Sequence, residues 1–168
     1  MDEYHIAKLA IIGNEQAQIE LLKFYEPSMY RVAYSYLHNH HDSEEAVAEM
    51  AFQFLKSIHT VRSPEYIRTW LVRIVINTSL QIKRKQKRVM ISTEQSEPFY
   101  TPASFLEMNE MIQQLTIEEQ QLIHLKYFAD LKTVDIAKLQ NIPEGTVKSR
   151  IHHTLKRLKK IIVEGEQQ

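Results

Sequence analysis

The chain lacks cysteine altogether and is poor in glycine and proline. Its 168 residues include no Cys, three Gly and five Pro. Without thiols, neither a disulfide framework nor a thiolate metal site is possible. Little glycine and proline, together with little alternation of apolar and polar residues, predicts an all-α chain.

Long apolar runs and a net charge are also absent from the sequence. No apolar run approaches the ~20 residues that a membrane helix requires, and the first residues, MDEYH, are acidic, unlike a secretory signal. We therefore expect a cytoplasmic protein with no direct membrane insertion. The 21 basic and 21 acidic residues cancel, which taken alone argues against binding to nucleic acid.

The charges are, however, unevenly distributed. The segment 81–93 holds no acidic residue, and five of the six residues at 83–88 are Lys or Arg. A second segment, 145–163, is also free of acid and rich in Lys and Arg, whereas acidic residues gather at 42–49 and 107–119. One such run is typical of a solvated helix face. Two basic runs on or after apolar-periodic helices favour a protein that binds DNA with some faces and a basic partner with others.

Residues 131–158 show the pattern of a helix-turn-helix. The apolar residues of the second helix recur at helical spacing: Val147, Ile151, Leu155 and Leu158. Ala137 in the first helix is small, as a position must be where two helices cross closely. The opposite face of the second helix carries side chains that reach phosphates and base edges in a major groove: Lys148, Ser149, His152, His153 and Lys156.

We predict three parts: a helical domain at 1–88, a flexible linker at 89–103 that holds two of the five prolines, and a smaller helical domain at 104–168. In the first domain we expect Pro27 near a helix start and Asp42 or Ser43 as the cap of a second helix. That helix should bury the following stripe: Val47, Met50, Ala51, Phe54, Leu55 and Ile58. A third helix should run into the basic segment KRKQKR. Its buried stripe should consist of Ile67, Trp70, Leu71, Ile74, Val75, Thr78 and Ile82.

Together these features resemble a bacterial RNA polymerase sigma factor of the sigma-70 family. The resemblance spans residues 15–163 and is to the extracytoplasmic-function (ECF) group, which keeps only regions 2 and 4. DSEEAVAEMAF (42–52) is similar to the family's Asp-Ala-Glu-Asp-Leu-Val-Gln-Glu, and YIRTWLVRIVINT (66–78) contains its Trp-Leu-x-x-Ile-x-x-Asn core. LTIEEQQ (115–121) resembles the opening of region 4, and IPEGTVKSR (142–150) matches its helix-turn-helix very closely.

The sequence departs from the family pattern at several positions. Ala48 stands where Gln is usual, and Ala51 where a large apolar residue is usual, on the helix that resembles the docking surface for the polymerase β′ clamp. Asn141 replaces the turn glycine, and it tolerates positive φ better than other residues, so the turn should survive. Gln81 and His153 replace a common Asp and a common Arg, which points to an unusual promoter preference.

The resemblance implies a role for each set of residues. For the −10 element, Ile74 and Asn77 would line the pocket of a flipped base, Arg62 and Ser63 would lie in the preceding loop, and Lys83, Arg84 and Lys85 would grip phosphates. For the −35 element, the residues facing DNA would be Lys148, Ser149, His152 and His153, and Arg150 would either support packing or contact a phosphate.

The resemblance also implies protein contacts, and core polymerase would be contacted by Asp42, Glu45 and Glu49. The implied partners are core RNA polymerase (β′ clamp and β flap), promoter DNA and an anti-sigma factor. We expect no cofactor, no metal and no catalytic residue.

Three alternatives are open at this stage. An ordinary helix-turn-helix regulator would share the second domain, but its first half should alternate strands and helices. A degenerate sigma paralogue that binds polymerase without initiating is favoured by Ala48 and Ala51. An enzyme with a metal site would use the cluster His38, His40, His41, Asp42 and Glu45, although consecutive histidines seldom converge on one ion.

Overall fold

The computed structural model of the chain is helical throughout the residues that it describes. These are 2–88 and 103–167, except for the side chains of Arg88 and residues 103–107. They contain no strand, so the all-α prediction is confirmed. The chain divides into two compact units, Met1–Gln95 and Ser96–Gln168. The predicted linker at 89–103 lies outside the described residues, apart from Ala103.

Within residues 2–88, the first unit contains four α-helices: α1 (Glu3–Ile11), α2 (Glu15–Leu37), α3 (His40–Ser57) and α4 (Ile67–Arg88). Two short 3₁₀ helices, Ile58–Thr60 and Pro64–Tyr66, connect α3 to α4. Helices α2, α3 and α4 pack on one another, and α1 packs on α2. Their periodic apolar residues form the core, and the following are at most 1% exposed: Leu21, Met29, Val32, Met50, Phe54, Ile58, Ile67, Leu71 and Val75.

Two predicted helix starts are wrong. Pro27 lies inside α2. This helix begins after Asn14, and the Asn14 side chain caps it by accepting a hydrogen bond from the Ala17 N–H (2.9 Å). Pro27 is exposed, and on the outer side of a helix water can replace the hydrogen bond that proline removes. Helix α3 is capped by Asn39, neither by Asp42 nor by Ser43. Asn39 accepts from the Asp42 N–H (2.9 Å), and Ser43 Oγ donates back to the Asn39 carbonyl (2.6 Å).

The second unit contains α5 (Ala103–Gln113), α6 (Ile117–Ile123), a π-helical turn (His124–Phe128), α7 (Thr133–Gln140) and α8 (Glu144–Glu166). Thr116 and Glu119 form a capping box at the start of α6. Phe128, Leu158 and Ile161 pack against a buried cluster of Ile112, Leu115 and Ile123. Helices α7 and α8 form the predicted helix-turn-helix. No helix in either described part of the chain has both the length and the apolar character needed to cross a membrane.

The turn between α7 and α8 depends on Asn141. This residue has φ 53° in the left-handed region, and its N–H donates to the Ala137 carbonyl at the end of α7. The prediction that Asn141 supports the turn is confirmed. We expect Asn141→Ala to destabilise the turn by about 1 kcal/mol, because a Cβ without a local hydrogen-bonding group raises the energy of this region.

Hydrogen exchange of the α7 and α8 amides would measure this local loss. Asn141→Gly is the matched control and should leave protection unchanged or raise it, because glycine adopts positive φ without steric cost. Equal protection in the alanine and glycine variants would contradict the argument.

Candidate nucleic-acid interface

Helix α8 has one buried side and one exposed polar side. Val147, Ile151 and Thr154 are buried, at 0%, 8% and 1% exposure. The residues predicted to face the −35 element are all exposed: Lys148, Ser149, Arg150, His152 and His153. At 100° per residue, Ser149, His152 and His153 lie opposite the buried side, and Lys148 and Arg150 lie on its two flanks. Helix α8 thus presents a continuous polar surface of the kind that enters a major groove.

A hydrogen-bonded clasp joins the starts of α7 and α8. Thr133 Oγ1 donates to Glu144 Oε1 at 2.8 Å, and Lys148 Nζ lies 3.1 Å from the same oxygen. These two bonds hold the pKa of the Glu144 carboxyl below its usual range, and the bond from Thr133 has the larger effect. The clasp links the first turns of α7 and α8 and pairs Lys148 within its own helix. The i, i+4 spacing of Glu144 and Lys148 signals their pairing in the sequence, whereas the bond from Thr133 depends on the turn.

The residues predicted for the −10 element lie on α4 and on the segment before it. Ile74 is partly buried and Asn77 exposed, and their i, i+3 spacing places them on neighbouring positions of one helix face. Arg62 is exposed and Ser63 partly buried, both between the two 3₁₀ helices. Asn77 therefore presents an amide that both donates and accepts hydrogen bonds next to an apolar side chain.

The basic end of α4 is only partly free. Arg84 and Lys85 are exposed, whereas Lys83 is partly buried and its Nζ donates to the Tyr36 carbonyl at 3.4 Å. On the inner side of the helix, Leu71, Val75 and Ile82 are buried as predicted. Of the three residues predicted to bind phosphates here, two are therefore exposed and the third already has an internal acceptor.

Helix α3 presents an exposed stripe that mixes acidic and apolar residues. Glu45, Ala48 and Glu49 are exposed, and so are Phe52 and Leu55, at 59% and 52%. The prediction that Leu55 is buried is wrong, since it lies beside Phe52 on the solvent side of α3. Because Phe52 and Leu55 are large apolar side chains exposed side by side, this stripe is a candidate protein-binding face.

Asp42 does not belong to this stripe. It is 8% exposed, and its carboxylate accepts hydrogen bonds from the side chains of Asn39 and Gln86. Of the three predicted polymerase contacts, Asp42 is thus buried in the first turn of α3, whereas Glu45 and Glu49 are exposed. Phe52 and Leu55 were not predicted as part of this face, because periodicity alone placed Leu55 on the buried side.

The histidines near α3 do not converge on one ion. His40 contacts the Tyr30 hydroxyl (2.7 Å) and Glu44 (3.1 Å). Ligand atoms of His41, Asp42 and Glu45 lie within 4.8 Å of one another. However, Asp42 already accepts two hydrogen bonds, and the positive end of the α3 dipole disfavours a cation there. We therefore interpret this cluster as part of the first turn of α3, in which the Asp42 carboxylate accepts a hydrogen bond from the Asn39 cap.

Comparisons with known proteins agree with the geometry. The family model described as sigma-70 region 2 matches residues 21–89, and that described as sigma-70, region 4, matches residues 105–158. The RNA polymerase sigma factor SigV of Bacillus subtilis (strain 168) is 30% identical over 137 residues, which cover 79% of this chain and 82% of SigV. The ECF RNA polymerase sigma factor SigW of the same organism is 27% identical over 168 residues, with 88% and 90% covered.

Two solved structures share the fold. One is CnrH in complex with the cytosolic domain of CnrY, with a TM-score of 0.67 and 17% identity, covering 96% of this chain and 97% of that one. The other is the sigma factor RpoE from Bartonella quintana in complex with the anti-sigma factor NepR. It has a TM-score of 0.67 and 20% identity, covering 85% and 94%. Both similarities concern the fold.

Proposed function

The chain belongs to the sigma-70 family as an alternative sigma factor of the ECF group that directs transcription, and from this premise we propose how its two units divide the work. The first unit binds core RNA polymerase and the −10 element, and the second binds the −35 element. The observation that carries the proposal is the exposed polar face of α8 opposite its buried side.

In the second unit, α8 enters the major groove of the −35 element. Lys148, His152 and His153 hydrogen-bond base edges or phosphates, Ser149 adds a hydroxyl, and Arg150 at the side reaches a phosphate. Each well-oriented contact with a base edge contributes about 1–3 kcal/mol of discrimination. The Glu144 clasp supports this role, because it links the first turns of α7 and α8 before DNA arrives.

In the first unit, α4 captures an unpaired base of the −10 element. Unstacking a base costs a few kcal/mol, which the pocket must offset with apolar contact and hydrogen bonds. Ile74 provides the contact and Asn77 the hydrogen bonds, while Arg62 and Ser63 border the pocket from the preceding segment. Lys83, Arg84 and Lys85 bind phosphates of the adjoining DNA.

The stripe on α3 docks on the polymerase β′ clamp. Glu45 and Glu49 are exposed carboxylates that suit a basic partner surface, and Phe52 is the exposed aromatic anchor between them and Leu55. Ala48 and Ala51 leave this contact without the larger side chains usual in the family, and Phe52 provides apolar area one position along. The second unit contacts the β flap.

We further propose an anti-sigma partner and a cytoplasmic location. The support is that the two structural neighbours were solved with CnrY and with the anti-sigma factor NepR bound. RNA polymerase works in the cytoplasm, and a sigma factor acts there through binding. The protein itself makes and breaks no covalent bond.

Promoter-dependent transcription tests the proposal. The purified protein would be mixed with bacterial core polymerase and a pool of genomic fragments, and the 5′ ends of the transcripts mapped. We expect discrete start sites with two spaced upstream motifs. Lys148→Ala should lower initiation about tenfold and relax one position of the −35 motif, as loss of one base contact predicts. Lys138→Ala, which removes an exposed lysine of α7, is the matched control.

Two other outcomes would contradict the proposal in different ways. Stable binding to core polymerase without discrete starts would favour a degenerate paralogue. DNA binding without polymerase binding would favour an ordinary helix-turn-helix regulator.

A further inference from the structure

Helix α1 covers the segment that leads into α4. It packs on α2 and contacts both 3₁₀ helices, Ile58–Thr60 and Pro64–Tyr66. Two small residues, Ala7 and Ala10, are 2% and 0% exposed, so neighbouring backbone approaches α1 closely. The α1–α2 turn is itself well fixed, because Gln18 Nε2 donates to the Ala10 carbonyl at 3.0 Å. Helix α1 precedes the segment that matches region 2 of the family, which begins at residue 21.

Glu3 joins α1 to both α2 and α4. The Arg68 guanidinium donates to the two Glu3 carboxylate oxygens at 3.0 and 2.8 Å, and the Tyr25 hydroxyl donates to the same carboxylate. The guanidinium also lies 5.7 Å from the centroid of the Tyr25 ring. Burial, with the bond to Glu3, raises the pKa of Tyr25 above its usual value, so the hydroxyl keeps its proton and remains a donor. Three helices thus meet at one carboxylate.

The segment between the 3₁₀ helices contains local hydrogen bonds. The Val61 N–H donates to the Ile58 carbonyl (3.0 Å), and the Tyr66 N–H donates to the Ser63 carbonyl (3.0 Å). Such bonds fix the shape of each turn, but not its position relative to α4. That position is set by packing, and α1 is a remote part of the sequence that contacts both turns. Arg62 and Ser63 lie in this segment.

We propose that Glu3 is a positioning residue for −10 recognition. By tying α1 to Arg68 in the first turn of α4, it holds Arg62 and Ser63 in register with Ile74 and Asn77. This inference rests on the proposed function of those four residues. Glu3 and Arg68 have partly exposed side chains, at 37% and 24%, and ion pairs of this kind contribute little to stability. The tie therefore matters more for the placement of the segment than for whether the unit folds.

The test compares the effects of −10 and −35 substitutions on initiation by complete polymerase with wild-type or variant sigma. The penalty is the fold loss of initiation that a single promoter substitution causes. We expect Glu3→Gln to reduce the penalty for a −10 substitution about three- to tenfold, as for coupled contacts. The penalty for a −35 substitution and the affinity for core polymerase should not change. The charge swap Glu3→Arg with Arg68→Glu should restore the −10 penalty. Glu20→Gln, which removes an exposed carboxylate of α2, is the matched control.

The outcomes are distinguishable. An unchanged −10 penalty in Glu3→Gln would overturn the inference, and so would an equal fall in the −10 and −35 penalties. Should Glu3→Gln fail to fold, Arg68→Lys keeps the charge but loses the planar guanidinium, and it is expected to lower the −10 penalty alone. Wild-type protein that shows no −10 penalty at all would instead contradict the proposed function.

Discussion

Replacing Lys83, Arg84 and Lys85 together with alanine should make promoter binding markedly less dependent on salt. Each phosphate contact contributes about 0.9 to the slope of log affinity against log salt, so three lost contacts lower the slope by about 2.7. When the salt concentration rises fourfold, the affinity of the wild-type complex should therefore fall about 40-fold more than the affinity of the variant complex. The measurement is the affinity of the polymerase–sigma complex for one promoter between about 50 and about 200 mM salt.

The tether of Lys83 to the Tyr36 carbonyl makes this prediction more specific. The double variant of Arg84 and Lys85 should lower the slope by about 1.8. The step from the double to the triple variant then measures whether Lys83 leaves Tyr36 to reach a phosphate. Replacing Lys8, Lys23 and Lys56, which are exposed elsewhere in the first unit, removes the same charge and should leave the slope nearly unchanged. An equal change in both triple variants would show that only net charge matters.

Phe54→Ala is expected to destabilise the first unit by about 3–5 kcal/mol, the usual cost of removing a buried aromatic ring. Phe54 is 0% exposed, and its ring centroid lies 6.2 Å from that of Trp70. Trp70 is the only tryptophan in the chain, so its fluorescence during denaturant unfolding reports on the first unit. Hydrogen exchange of α8 should show that the second unit keeps its protection.

Phe52→Ala is the matched control for this prediction. It removes the same side chain from the same helix, but Phe52 is 59% exposed, so stability should change by less than about 0.5 kcal/mol. Affinity for core polymerase should fall instead, because Phe52 is the proposed anchor on the β′ clamp. Similar losses of stability in the two variants would contradict the burial argument, and unchanged polymerase affinity would contradict the docking face.

Features set by neighbouring residues could be predicted from the sequence. The helices follow from apolar spacing, and the role of Asn141 follows because few residues tolerate its backbone conformation. The helix-turn-helix follows from both, and the family resemblance is confirmed by the matches to regions 2 and 4. The cap of α3 was harder to predict, because Asn39, Asp42 and Ser43 are all good capping residues within five positions.

Features set by distant residues could not be predicted. Buried Asp42 accepts a hydrogen bond from Gln86, 44 positions away, and no local pattern distinguishes Asp42 from Glu45. Glu3 meets Arg68 across 65 positions, so nothing in the sequence around Glu3 indicates its partner. The exposure of Leu55 depends on where α2 and α4 lie around α3, which helical periodicity does not specify.

The clasp at Glu144 means that Lys148 carries its own counterion. A lysine that must first leave a carboxylate gains less from an arbitrary phosphate than a solvated lysine would gain. A sigma factor searches for a few promoters among a great excess of other DNA, so wrong complexes dominate the search. We expect Glu144 to weaken those complexes, so that part of the selectivity of α8 would come from weaker binding to arbitrary DNA.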